Sequence, residues 1–473
     1  MPRDAAVARS FSDAPLPVAV TVTSLNQTPV PLVTSPRWRG LWLLALPLLL
    51  TGCAGTKSTY TREHVAQRLR ARAGYELGAA RTARAPAPAL PNLQDGLSED
   101  ETVNLALTRN PAFQADLSAL ALAQADLQDA GLLANPVLSG VTAFGTSPAS
   151  LALNFASDLL WQRPGRVRAA QLETQRVAES LVSRGLLVSR DAQVSYTDIT
   201  LADERLRIAR EAIAMRAEVA RIVRARYRVG EASELETVAP SADSLRAVDD
   251  YYRARRDAQV ARLRLLATLG LDSVNADSVR FTAAPAAATT VPPLPVLLDS
   301  AYAARPDLWA ARIGIEGIGK RLRWERSRVF SFVLSLNARL NDPNPVHLGP
   351  GAAIGLPIFN RNQGRISRVK AELEQASWQY LALRQTVNLD VREAYAQYEQ
   401  AAQSVALWER SYLPSLQDAL RRSTSAFING DFPYVQVAET TRQLLDARQR
   451  VADARADQRR ALARLRYAVG GRF

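Results

Sequence analysis

Few side chains in this 473-residue chain are equipped for covalent or metal chemistry: there is one cysteine and there are two histidines. Cys53 is the only thiol, so no disulfide can close within the chain, and His64 and His347 stand in different regions without neighbouring Cys or His. Serines and aspartates are scattered, with no Gly-x-Ser-x-Gly context for a nucleophile and no phosphate-cradling loop. These absences predict no catalytic residue, no cofactor and no metal site. What the acidic side chains can still do is act as charge. Glu231, Glu234 and Asp431 flank Gly230 and Gly430, where solvated helix capping is the simplest role for them. The formal net charge is +13, but the arginines are interleaved with acids along helical stretches, so no nucleic-acid partner is expected.

The lone cysteine has a chemistry of its own. Arg37-Trp38-Arg39 precedes the apolar run Leu41–Leu50, which ends in Leu50-Thr51-Gly52-Cys53. A basic flank and a short apolar core describe a signal peptide, too short to span a bilayer as a mature helix. The Leu-x-Gly-Cys ending resembles a bacterial lipoprotein box, which implies that Cys53 becomes the lipid-modified first residue of the mature chain. Several acyl chains would anchor it firmly, where one holds only marginally. Ala54, rather than Asp, follows it, which in such lipoproteins goes with outer-membrane sorting. A stretch of 36 residues precedes the basic flank, long for a leader.

The remaining information is in spacing. Gly230 and Gly270 are 40 positions apart, as are Gly430 and Gly470, and Gly165 and Gly364 are separated by 199. This predicts two copies of one structural unit. Each copy opens with a capped helix: Leu97-Ser98-Glu99-Asp100-Glu101 and then Pro111 with a segment to Ala130; Val296–Arg305 and then Pro306 with a helix through Arg326. Strands follow. Ser150–Trp161 and Phe330–Leu340 alternate apolar with small or polar residues, and Val137–Gly145 and Leu348–Phe359 read as their hairpin partners. Their lengths suit tilted membrane-spanning strands, although a soluble sheet would alternate in the same way. Two hairpins cannot close a barrel, and lipid does not tolerate an open edge. Four strands per chain in a trimer would give twelve.

After each hairpin comes a stretch that reads as one helix of roughly 60 residues, about 90 Å long. In the second copy Leu373, Ala376, Tyr380, Leu383, Val387, Val391, Ala394, Tyr398, Ala401, Val405, Trp408 and Tyr412 form a stripe. The spacing is nearly heptad, with a stutter at Val387–Val391 that predicts local unwinding there. Glu234–Leu269 and Val435–Val469 supply shorter return helices.

On these motifs the sequence resembles the outer membrane efflux protein family, nearest its heavy-metal efflux branch. The resemblance runs from Glu99 to Gly470. It is carried by Arg226-Tyr227-Arg228-Val229-Gly230-Glu231-Ala232-Ser233, Leu265–Gly270, Arg305-Pro306-Asp307-Leu308 and Gly349–Gly364. It implies a homotrimer in the bacterial outer membrane that passively conducts small molecules or metal cations. The implied partners are a periplasmic adaptor and an inner-membrane transporter, commonly proton-driven. The implied fold is mainly α with a small β part: a trimeric β-barrel of about four strands per chain, continued by a long coiled-coil tunnel and internally duplicated. Arg226, Tyr227, Val229, Gly230 and Ser233 would form one adaptor-docking tip, and Phe427, Gly430, Asp431 and Phe432 the other. The same residues could merely shape the turns. Glu231, Glu234 and Asp431 are the candidate pore constriction; Asn154, Asp158, Asn337 and Arg339 are candidates for the barrel lumen. The expected divisions are a leader over 1–52, an extended equatorial segment over 53–97, and two repeats over 98–294 and 295–473. The alternatives are a duct for protein secretion and a structural lipoprotein that conducts nothing.

Overall fold

The computed structural model describes residues 57–79, 95–143, 149–156, 158–271, 274–282, 290–340 and 346–473. Cys53, the leader before it and the Pro/Ala-rich stretch 83–91 lie outside these residues. The described chain runs α1 (Arg62–Ala73), α2 (Glu99–Arg109), α3 (Pro111–Gly131), β1 (Val137–Val141), β2 (Ala149–Ala156), α4 (Asp158–Arg228) and α5 (Glu234–Thr268). The second half follows with α6 (Leu294–Ala304), α7 (Pro306–Ser327), β3 (Ser331–Leu340), β4 (His347–Gly355), α8 (Gln363–Leu407), a π turn (Trp408–Tyr412), α9 (Leu413–Ile428) and α10 (Tyr434–Val469). Two helices, two strands, a long helix and a return helix thus occur twice in the same order.

Local chemistry sets the boundaries. Ser98 caps α2 with a reciprocal box to Glu101. Pro111 and Pro306 open α3 and α7, where a missing N–H removes no helical bond. The expected N-terminal extended segment is in part helical: α1 is capped by Thr61 and buries Val65 and Leu69. The expected strand to Trp161 is also corrected, since β2 ends at Ala156 and Asp158, Leu159 and Trp161 belong to α4. An acid at the first helical position is favoured by the helix dipole. A further reason lies two turns on: Arg163 Nε donates to Gly131 O (2.7 Å) and Arg166 Nε to Ala130 O (2.8 Å). These cations cap the C-terminus of α3, a task that fixes the start of α4 beside it.

The second half solves the same junction with an amide. Asn362 Nδ2 donates to Glu325 O (2.7 Å) near the C-terminus of α7, and Asn362 sits at φ 57°, a left-handed conformation that Asn tolerates.

The four strands form one antiparallel sheet in the order β1-β2-β3-β4, leaving β1 and β4 as edges. Pairs such as Ala152↔Asn337, Asn154↔Ser335 and Ser335↔Gly351 align one face of small and polar residues. The other face carries Leu138, Leu151, Leu153, Phe155, Phe332, Leu334, Leu336, Leu348 and Ile354.

The 71-residue α4 is the central element; it packs on α1, α2, α3, α5, α7 and α10. Because its partners change along its length, no single apolar side persists. The largest core joins α1 and α2 to the Ala178–Ile199 part of α4 and to Leu265–Leu271. A second core joins α6, α8 and the end of α10 around Leu297, Val387, Val391 and Leu465. Beyond these, small clusters continue between the long helices.

The stripe on α8 is buried or half-buried from Leu373 to Trp408, but α8 stays regular through Val387–Val391, contrary to the expected unwinding. The irregularity is the π turn. Its extra residue makes the next inward position after Trp408 Leu413, five residues on, and leaves Tyr412 exposed. Pro414 follows immediately, lacking the N–H that an α turn would use.

Candidate functional site

The two helical hairpins end in turns of one design. After α4, Gly230 N donates to Tyr227 O (3.1 Å) and Glu231 N to Arg226 O (2.9 Å), with Gly230 at φ 79°. After α9, Gly430 N donates to Phe427 O (3.1 Å) and Asp431 N to Ala426 O (2.9 Å), with Gly430 at φ 88°. Each pair satisfies two orphan carbonyls at a helix end, and glycine takes the left-handed conformation between them without the backbone strain a side chain would bring. Gly270 and Gly470 end the return helices with the same bond pattern. The repeated 40-residue interval is therefore the distance between two helix stops.

The turns differ in their exits. Ser233 caps α5 through Glu236, whereas Pro433 opens α10 without a side-chain cap. Tyr227, Val229, Gly230, Ser233, Glu231 and Glu234 are exposed at the first tip, and Gly430, Asp431 and Phe432 at the second. Phe427 is not available as a contact residue: it is buried in a cluster with Val223 and Val437, backed by Leu420 and Tyr434. Arg226 is half-buried and crosses between tips. Its guanidinium lies over the Phe427 ring at 5.3 Å, donates to Phe427 O at 3.4 Å, and approaches Glu231 at 3.7 Å. Arg226 and Phe427 therefore join the hairpins to each other, leaving the exposed residues as the surface a partner could reach.

Sequence reasoning missed the bond next to these tips. Tyr434 Oη donates to Asp243 Oδ2 (2.8 Å), linking the start of α10 to α5. Burial, and then the Asp243 carboxylate, raise the Tyr434 phenol well above its ordinary range, so it stays protonated and remains a donor. Arg216 of α4 reaches the same place, donating to Asp243 O (3.4 Å). Further along, Arg448–Glu211 (2.5 Å), Arg205–Asp453 (2.7 Å) and Arg460–Asp198 (2.6 Å) bridge α4 and α10, and Arg262–Asp203 (2.6 Å) bridges α5 and α4. Such partly exposed pairs contribute about 0–1 kcal/mol each. They set helix register more than stability.

At the sheet, Asn154 donates to Ser139 Oγ (3.0 Å) and Asn337 to Ser335 Oγ (3.2 Å). Asn154, Asn337 and Arg339 share the polar face; Asp158 is outside the sheet, at the first position of α4. Trp161, Phe330 and Phe359 lie in the chain where it passes between sheet and helices, and Phe359 is 92% exposed. His64 packs edge-on against Tyr60, and His347 lies on β4 opposite Arg339. Among the described residues, no three His, Cys, Asp or Glu side chains are grouped to hold a metal ion.

A small sheet with an exposed apolar face is thus continued by paired long helices that turn at glycine tips. The family model described as "Outer membrane efflux protein" matches residues 297–471, from α6 to the end of α10. Over that stretch the sequence is similar to the outer membrane efflux protein family. The cobalt-zinc-cadmium resistance protein CzcC of Cupriavidus metallidurans is 26% identical over 361 residues, covering 74% of this chain and 85% of that protein. The fold is similar to that of CusC, whose crystal structures concern folding and transmembrane channel formation. That likeness has a TM-score of 0.66 at 19% identity and covers 83% of this chain and 99% of CusC. The CmeC outer membrane channel of Campylobacter jejuni is similar too, with a TM-score of 0.66 at 16% identity over 84% of this chain and 91% of CmeC.

Proposed function

We propose that this chain is the outer-membrane channel component of a tripartite efflux system, a passive conduit and not an enzyme. The observation that carries this reading is the sheet. Its leucines, Phe155, Phe332 and Ile354 project from one face; the other is mostly small and polar, with Val137, Val141 and Val333 among it; and among the described residues both edges lack partners. A bilayer would cover the first face, a water-filled lumen would wet the second, and neighbouring copies would pair the edges. Trp161, Phe330 and Phe359 at the helix end suit the aromatic belt of a membrane interface. Three copies would pool twelve strands into a barrel, and the two repeats, 98–294 and 295–473, would each supply one stave pair to the tunnel.

The long helices would then stand in the periplasm, with the glycine tips toward a periplasmic adaptor and an inner-membrane transporter, proton-driven in our reading. Tyr227, Val229, Ser233, Asp431 and Phe432 offer the docking surface. Arg226, Phe427 and the Tyr434–Asp243 bond hold the hairpins together, and Glu231, Glu234 and Asp431 would constrict the pore. Cys53 would carry the lipid anchor. In support, the segment that follows it is firmly docked: Gln124 of α3 donates to Tyr60 O (2.8 Å), and Arg68 pairs with the buried Glu179 of α4 (3.0 Å).

The similarity to a cobalt-zinc-cadmium resistance protein supports divalent metal cations as cargo. Deleting the gene is expected to raise sensitivity to cobalt, zinc or cadmium salts. Purified protein is expected to run as a trimer and to give single-channel steps in planar bilayers. A protein that remains monomeric and non-conducting would overturn the conduit; unchanged metal tolerance with raised drug sensitivity would overturn the cargo.

A further inference from the structure

The described strands contain one charged residue, Arg339, and one histidine, His347. They are not scattered. Arg339 on β3 and His347 on β4 are directly paired across the ladder, which puts both on the polar face shared by Asn154 and Asn337. Their position along the strands is equally definite. The helices join the sheet at the end marked by Val137, Ala156, Ser331 and Gly355, whereas Arg339, His347 and Ser150 lie at the other end, next to the interstrand connections. Both side chains are exposed.

We infer that Arg339 and His347 form a cation-excluding ring at the distal mouth of the barrel, an ion-selectivity site separate from the hairpin tips. This rests on the trimeric duct proposed above. Twelve strands about 4.8 Å apart and tilted by about 40° close into a barrel roughly 24 Å across. Threefold-related positions are then about 21 Å apart, far beyond the roughly 2 Å bonds of a shared metal ion, so the ring acts through its field and not by coordination. An arginine reaching about 7 Å inward leaves its charge about 5 Å from the axis, within the Debye length of about 8 Å at physiological salt. The three guanidinium groups carry the charge, and the imidazole of His347 borders each of them on the same face. The groups facing His347 are Arg339 across the ladder, with Ser150 beyond it on β2; β1 carries no titratable side chain. Asp342, in the connection 341–345, lies outside the described residues.

The ring opposes cations equally in both directions. A powered pump overcomes that barrier, while passive return of divalent cations from a metal-rich exterior is slowed.

The test is ion selectivity of purified trimers in planar bilayers, read as reversal potential across a KCl gradient. Arg339→Gln is expected to lower the chloride-to-potassium permeability ratio roughly threefold in about 0.1 M salt and to change it little in 1 M salt, where screening shortens to about 3 Å. Arg339→Lys keeps the wild-type ratio. His347→Arg, which adds a second cation on the same face, is expected to raise the ratio and gives an independent reading if the glutamine at 339 prevents assembly. An Arg339→Gln trimer with wild-type conductance and an unchanged ratio overturns the ring and leaves the duct standing. A wild-type trimer that does not conduct overturns both.

Discussion

Glycine identity at the helix stops has two distinct physical causes, and substitutions should separate them. At Gly230 and Gly430 an added Cβ would meet nothing within 4 Å, so only the left-handed backbone resists a side chain. At Gly270 the Cβ would lie 2.9 Å from Arg109 O, and at Gly470 3.0 Å from Arg305 Cα. Valine at either tip should therefore lower stability by only about 1–2 kcal/mol while weakening cross-linking to the adaptor. Valine at Gly270 or Gly470 should cost considerably more and reduce folded yield, as read by urea unfolding in detergent. Arg305 is the second residue-scale case. It is 5% exposed, is held by Asp307 (2.6 Å) and Asp390 (2.9 Å), and lies over the Tyr467 ring. Removing it with alanine leaves two carboxylates facing a buried gap. The expected loss is about 3 kcal/mol, the low end of the range for broken buried pairs because both acids keep some solvent. Lysine should recover only part of this, since it cannot fork to two carboxylates. The same unfolding measurement checks both substitutions, and equal stabilities would remove Arg305 from this role.

At the scale of elements, the helix stops and caps were legible in the sequence because each depends on a few adjacent residues: Gly230, Gly430, the Ser98–Glu101 box, Pro111 and Pro306. The end of β2 was not, because the residues from Leu151 to Trp161 keep an alternating pattern across a boundary set by the task of Arg163 and Arg166 on α3. Nor was Phe427 recognisable as a core residue, since its burial depends on Val223 in the other half of the chain. The π turn is instructive in the same way. A stripe read on fixed spacings continued to Tyr412, but packing requires Trp408 and Leu413 to point the same way. Phase, and not Pro414, then sustains the extra residue. Pro414→Ala should leave the π turn in place, whereas deleting Tyr412 together with Pro414→Ala should convert it to regular α-helix with the inward stripe intact. Amide hydrogen exchange across 408–414 distinguishes these outcomes, and loss of the bulge in Pro414→Ala alone would assign it to the proline. Within the bulge, Glu409 receives a bond from Arg455 (2.6 Å), which holds its carboxyl below the ordinary range. A depressed folded pKa stabilises above the unfolded value near 4.5 and is lost as pH falls through the folded one. Wild type should therefore melt above Glu409→Gln at pH 7, by a small margin because the pair is partly exposed, and the gap should close as the carboxyl protonates in acid.

For the whole molecule, the question is what completes the sheet. Within one chain β1 and β4 are separated by β2 and β3, so their backbones stand about 14 Å apart at usual strand spacing. That exceeds the roughly 7 Å limit on Cα separation for a disulfide, which makes cysteine pairing a clean test of assembly. A cysteine on β1, at Ser139 or Val141, cannot reach one on β4, at Gly349 or Gly351, in the same chain. If three chains close the barrel, β4 of one copy lies beside β1 of the next, at about 5 Å between paired positions. Pairing one site from each strand, register by register, should then give a single combination that oxidises efficiently. The product should migrate as a covalent trimer on a denaturing gel, with the single-cysteine variants remaining monomeric as controls for Cys53. A closed ring of three links, and no ladder beyond the trimer, would distinguish barrel closure from edge-to-edge aggregation, because an open sheet adding copies through the same edges would continue to higher oligomers. Dimers without trimers, or no linkage in any register, would mean that these edges are covered in another way and that twelve strands do not form the barrel.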